Sequence, residues 1–140
     1  MPYTKKKPRP SIDYDIAPFW EGVNEHRFLL CHCRECDEWY WPMAFCQKCE
    51  PGPFGENMHW DEASGRGNVF VFNVHHIAFL PAFEDDLPYV FAMIELEEGP
   101  MFGTNIIGCE PGEIEIGAPV EIVFEDYEDG VTLPKARLVR

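Results

Sequence analysis

The sequence predicts a mainly β protein built from a short N-terminal helix, a metal-binding ribbon and a small closed barrel. Two observations predict it. Residues 31–49, CHCRECDEWYWPMAFCQKC, carry two C-x-x-C pairs with nine residues between them, which is ligand spacing for a metal ribbon. Beyond the cysteines, HWDEA (59–63), NVFVFNVHH (68–76), YVFAMIELE (89–97), MFGTNII (101–107), VEIVFED (120–126) and KARLV (135–139) are β-branched or aromatic runs, punctuated by SGRG, EEGP, EPGE, IGAP and EDG. A unit of five or six short strands removes its exposed edges most simply by closing into a Greek-key barrel of the OB type. A sandwich is the second solution.

Each element can be justified in order. Residues 1–13 are basic and proline-rich with nothing periodic to bury, so they read as a flexible arm. A short amphipathic helix follows. Asp13 or Asp15 suits its cap, Pro18 suits its first turn, and Ile16, Phe19, Trp20 and Val23 recur on one face. That face could cover the rest of the same molecule or fill a partner's groove; periodicity does not choose between them. FLLC (28–31) reads as a strand entering the cysteine cluster and PGPFGEN (51–57) as the linker leaving it. The expected organisation is therefore arm and helix over 1–29, ribbon over 30–56 and barrel over 57–140.

Composition narrows the function. The chain has 140 residues and a net charge of −14, yet four of its eleven basic residues, Lys5, Lys6, Lys7 and Arg9, lie in the arm. From 67 to 134 there is no Lys or Arg, while fourteen acids fall in that span. A nucleic-acid-binding ribbon and barrel is the alternative function such folds suggest, but a strand-binding groove needs cations along its track, and the barrel segment supplies none. No window approaches the roughly 18 apolar residues of a membrane helix, and MPYTKKKPRP lacks a signal-peptide core, so a cytoplasmic chain is expected. In that reducing compartment six cysteines point to metal or redox chemistry and not to disulfides.

Cys33, Cys36, Cys46 and Cys49 keep both two-residue gaps, so each pair can turn its thiolates toward one ion. Zn²⁺ is the natural ion, and four thiolates leave no open position for water, so the site should be structural. Cys31 and His32 could replace Cys33, but Cys31 to Cys36 breaks the gap, and Cys31 reads as a buried strand residue. A rubredoxin-type iron site uses the same shell. A thioredoxin-like dithiol would need a helix start within a βαβ pattern, absent here. Asp37 and Glu50 stand where glycine often follows a knuckle, at a position that favours positive φ.

Trp39, Tyr40 and Trp41 lie between the knuckles, either as the ribbon's small core or as an exposed surface for a partner. His75 and His76 end the strongest strand without a nucleophile motif, so they read as structural or partner-facing. Ser64–Gly67 lacks the features of a phosphate loop and reads as a hairpin turn, although Arg66 could touch an anionic cofactor. Cys109, alone near a turn, reads as buried. A self-sufficient small enzyme is disfavoured because no nucleophile, base and oxyanion donor can be assembled from the sequence.

The order PFWEGV, C-x-x-C…C-x-x-C, SGRGNVFVFNVHH, PYVFAMIELEEG, IGAPVEIVFED and DGVTLPKAR resembles, over essentially the whole chain, the acyl-CoA-associated zinc-ribbon and OB-fold proteins of the domain of unknown function 35 family. The resemblance implies an N-terminal helix, a rubredoxin-like zinc ribbon and an OB barrel. It also implies a non-catalytic accessory subunit of a thiolase-fold enzyme (a thiolase, acyltransferase or steroid side-chain-type aldolase), helping to hold a CoA thioester in a hetero-oligomer. Carried over residue by residue, it places zinc on Cys33, Cys36, Cys46 and Cys49. Partner contacts are then expected at Phe19, Trp20, Val23, Trp39, Tyr40 and Trp41, and CoA contacts at Arg66 and His76.

Overall fold

The computed structural model describes residues 7–42, 45–49 and 57–140. Most of the expected linker and the position of Glu50 lie outside the described residues. A helix, α1 (Ala17–Asn24), precedes a sheet of β1 (Leu29–Cys33), β2 (Trp39–Tyr40) and β3 (Met58–Glu62) in the order β2-β1-β3. A closed barrel follows, built from β4 (Arg66–His75), β5 (Tyr89–Leu96), β6 (Met101–Ile107), β7 (Pro119–Asp126) and β8 (Thr132–Leu138) in the order β4-β5-β6-β8-β7. Pairing of β4 with β7 closes it, and the β6–β8 pair is parallel, which gives the Greek-key topology of an OB fold.

The run 59–63, expected among the barrel strands, forms β3 instead and pairs with β1 from Leu29↔Glu62 to Cys33↔Met58. The physical reason is edge satisfaction. The β2 strand is two residues long, so β1 needs a second, longer neighbour for its remaining backbone groups. The Ala63–Gly65 segment therefore joins two sheets and is not a hairpin turn. Within β4, Gly67 lies so close to β5 that a Cβ would sit 2.6 Å from the Glu95 carbonyl oxygen. Only glycine fits there.

Alternation along the strands fills the barrel. Val90, Ala92, Ile94 and Leu96 of β5, Phe102 and Ile106 of β6, Val69, Val120 and Ala136 all point inward and are buried. The helix α1 covers this core. Phe19 is 1% exposed and Val23 fully buried, and Phe19 meets Phe28 and Phe102 at ring separations of 6.2 and 6.1 Å. The expectation that Phe19 and Val23 face a partner is thereby corrected, because apolar surface at the barrel's uncovered end lies within reach of the helix of the same chain. Nor do Asp13 and Asp15 cap α1. Its N-cap is Ile16, after a 3-10 turn over Tyr14–Ile16, and no side chain bonds to that end.

Just past the C-cap Glu25, His26 adopts φ 58° and turns the chain back so that the Arg27 N–H donates to the Gly22 carbonyl at 2.8 Å. His26 is held there by Asp126 at 2.9 and 3.0 Å and by stacking on Phe124 at 5.2 Å. The described part of the arm is docked as well. Lys7 pairs with Asp86 at 2.8 Å, 5.9 Å from the Phe83 ring centroid and 5.8 Å from that of Tyr127, while Arg9 donates to the Asp129 carbonyl at 2.9 Å. Lys7 and Arg9 thus lie against acids of the barrel.

Candidate metal centre

Cys33 closes β1, and Cys36 lies in the turn that follows it. The Asp37 N–H returns to the Cys33 carbonyl and the Cys33 N–H donates to Glu38, both at 2.8 Å. Asp37 adopts φ 64°, the left-handed conformation expected after a knuckle. The second pair, Cys46 and Cys49, faces the first, and all four Sγ atoms lie within 4.8 Å of one another. Cys33 to Cys49 is 3.9 Å and Cys36 to Cys46 is 3.2 Å. A zinc ion with sulfurs near 2.3 Å separates them by about 3.8 Å along a tetrahedron's edges, so the cluster fits the ion.

The electrostatics point the same way. The Cys49 N–H donates to Cys46 Sγ at 3.4 Å and is the main cause that holds the Cys46 thiol down at about 6. The hydrogen bond with Cys46 pushes Cys36 up, and the one with Cys36 pushes Cys49 up. Four sulfurs this close do not all ionise unless a cation sits among them. Tyr40 supports the site directly. Its hydroxyl donates to Cys46 Sγ at 3.6 Å and accepts from the Gln47 N–H at 2.9 Å.

Around the knuckles lies a network that sequence reasoning missed. Asp61 of β3 accepts from Arg34 at 2.9 and 2.5 Å and meets His32 Nδ1 at 2.8 Å, while His32 Nε2 meets Asp37 at 2.6 Å. The Arg34 guanidinium, then His32, hold the Asp61 carboxyl well below the usual carboxylate range. The signal was present in the pairing of β1 with β3, which sets residues 32 and 61 near each other, but long-range register is not readable from local sequence. Trp39 stacks on His32 at 4.0 Å, and Trp41 meets Phe19 at 4.3 Å and Phe102 at 5.2 Å. Most of the WYW surface is thus spent within the chain. Cys31 is buried outside the sulfur cluster, Cys109 is half-buried, and Trp20 is half-buried with an indole nitrogen that finds no hydrogen-bond partner among the described residues.

The residues expected at CoA lie apart. Arg66 opens β4 and His76 follows its last residue, so the two stand at opposite ends of the strand. Arg66 is exposed and donates to Glu97 at 2.8 Å, and the Ser64 N–H donates to Glu98 at 2.6 Å, so carboxylates already occupy this turn.

A four-thiolate ribbon whose third strand leads into a five-stranded OB barrel defines a class, and both halves match known families. Residues 20–52 match the ChsH2 rubredoxin-like zinc ribbon domain, and residues 60–125 match the ChsH2 C-terminal OB-fold domain. The chain is 37% identical over 125 residues to a DUF35 domain-containing scaffold protein of Methanocaldococcus jannaschii, covering 85% of this chain and 86% of that one. It therefore belongs to the DUF35 family. It is also 37% identical over 133 residues to a probable enoyl-CoA hydratase alpha subunit of Thermomonospora curvata, covering 94% of this chain but 40% of that protein's length. Over 121 residues it is 32% identical to the 3-oxo-4,17-pregnadiene-20-carboxyl-CoA hydratase alpha subunit of Mycobacterium tuberculosis, covering 86% of this chain and 37% of that one. Among solved structures, a chain of the Ltp2-ChsH2(DUF35) aldolase superposes with a TM-score of 0.79 at 36% identity, covering 93% of this chain and 98% of that chain.

Proposed function

We propose that this chain is a non-catalytic accessory subunit of a thiolase-fold acyl-CoA enzyme, ordering that partner and helping to hold the CoA thioester. The observation that carries the reading is the end-to-end structural match to a chain of an Ltp2-ChsH2(DUF35) aldolase. Relatives described as scaffold proteins and as hydratase alpha subunits support it. So does the metal site, whose four thiolates would complete a zinc shell and leave no position at which substrate could bind.

Contacts to CoA through Arg66 and His76 belong to the same proposal, supported by the exposure of both side chains. An anionic group reaching Arg66 would displace Glu97. Trp20, Trp39, Tyr40 and Trp41 keep partial exposure, so a rim contribution to the partner contact is proposed for them. A cytoplasmic setting is also part of the proposal, since thiolate ligands persist best where thiols stay reduced. No helix among the described residues is long and apolar enough to cross a membrane.

The test is co-purification of the full chain from its source cells, followed by acyl-CoA assays of the chain, the recovered subunit and the two together. Turnover requiring the recovered thiolase-fold subunit is expected. Turnover by the purified chain alone would overturn the reading.

A further inference from the structure

We infer that the β4–β5 hairpin is the surface that seats the partner subunit, in an apolar cleft of that subunit rimmed by lysine and arginine. The inference deepens the accessory-subunit reading and rests on it. Six of the eleven large hydrophobic side chains exposed among the described residues belong to this hairpin: Phe70, Val71, Ile77, Phe79, Leu80 and Phe91. A shift of register between Val69 and Val71 is a β-bulge, and it leaves Phe70 and Val71 both exposed where a regular strand would bury one of them. On the neighbouring strand Phe91 lies against the bare backbone of Gly103, where a Cβ would come within 2.8 Å of its ring.

The segment linking the two strands adds the most exposed group. Phe79 is 89% exposed, between Ile77 and Leu80. On the paired strands Val71 lies opposite Met93 and Phe91 opposite Asn73, so the exposed apolar groups run along the hairpin toward the segment that carries Ile77, Phe79 and Leu80.

Charge selects the occupant. The barrel has no Lys or Arg from 67 to 134, Glu95 lies beside Phe70, and three acids, Glu84, Asp85 and Asp86, follow Leu80 in sequence, of which Asp86 is paired with Lys7. A second copy docked hairpin to hairpin would set acid against acid, and an anionic lipid surface would be repelled in the same way. A protein cleft with a basic rim meets both the apolar and the acidic parts.

The experiment uses the tagged full-length chain in its source cells, as wild type, Phe79→Asp and Ile77→Asp, with Tyr14→Asp as a control at an equally exposed site outside the hairpin. The recovered subunit is identified by mass spectrometry. A photo-crosslinking aromatic residue at position 79 then locates the contact. Phe79→Asp is expected to lower recovery of the subunit at least about tenfold, as loss of an interface anchor does, while Tyr14→Asp leaves it unchanged. Crosslinks should fall on subunit peptides bearing lysine or arginine. Equal recovery with all variants overturns the hairpin while the accessory-subunit reading stands. If Phe79-dependent recovery brings down a subunit of another fold, the thiolase partner falls and the hairpin stands. A Phe79-dependent homodimer, or crosslinking to lipid, overturns the inference.

Discussion

Asp61 accepts from Arg34 and His32 at once and so ties β3 to the first knuckle across the ribbon sheet. Replacing it by Asn removes the charge from both contacts and should destabilise the protein by about 1–3 kcal/mol, read as a lowered Tm. The sign with pH follows from its depressed pKa. Asp61 contributes fully above its unfolded value of about 4, and the contribution is lost as pH falls toward the folded value. The margin between wild type and Asp61→Asn should therefore narrow as pH falls below about 4. At the same scale, Cys33→Ser or Cys46→Ser should bring bound zinc from one per chain to near zero by elemental analysis. Cys31→Ala, outside the sulfur cluster, should keep it.

At the scale of elements, α1 and the ribbon sheet are stabilised by different means. The helix depends on apolar burial in the barrel's mouth, with Phe19 among Phe28, Trp41 and Phe102. Phe19→Ala should cost about 3–5 kcal/mol in denaturant unfolding, far more than an interface residue would cost the isolated chain. The ribbon sheet depends on metal. Chelation should unfold β1 to β3 first, seen as a change in fluorescence of Trp39 and Trp60, while the barrel keeps its far-ultraviolet signal. A single cooperative loss of both on zinc removal would show that the shared packing of Trp41, Phe19 and Phe102 couples them.

The whole molecule carries an acidic barrel segment without Lys or Arg from 67 to 134; seven of the eleven cations lie in the first nine and last six residues, and Arg27, Arg34, Lys48 and Arg66 lie before that segment. Lys7 and Arg9 already lie on Asp86 and Asp129, which leaves the basic arm partly neutralised by the barrel's own acids. Binding to labelled single-stranded DNA should therefore be undetectable at physiological salt, and deletion of residues 1–10 should not create it. Association with a basic-rimmed subunit should instead slow as ionic strength rises, with the effect in the on-rate measured by stopped flow.

The ribbon and the barrel were legible in the sequence because both rest on local patterns. Two-residue gaps select Cys33, Cys36, Cys46 and Cys49 through the geometry of a single turn, and alternation marks strands wherever one face is buried. The left-handed Asp37 was legible for the same reason. What the tertiary structure alone decided were pairings between distant residues. It assigned β3 to the ribbon, put Phe19 and Val23 inside the chain's own core, and joined Asp61 to His32 and Arg34. Apolar residues on a helix face or strand are equally suited to a partner or to their own chain, and only the closed barrel shows which face it covers and which hairpin it leaves exposed.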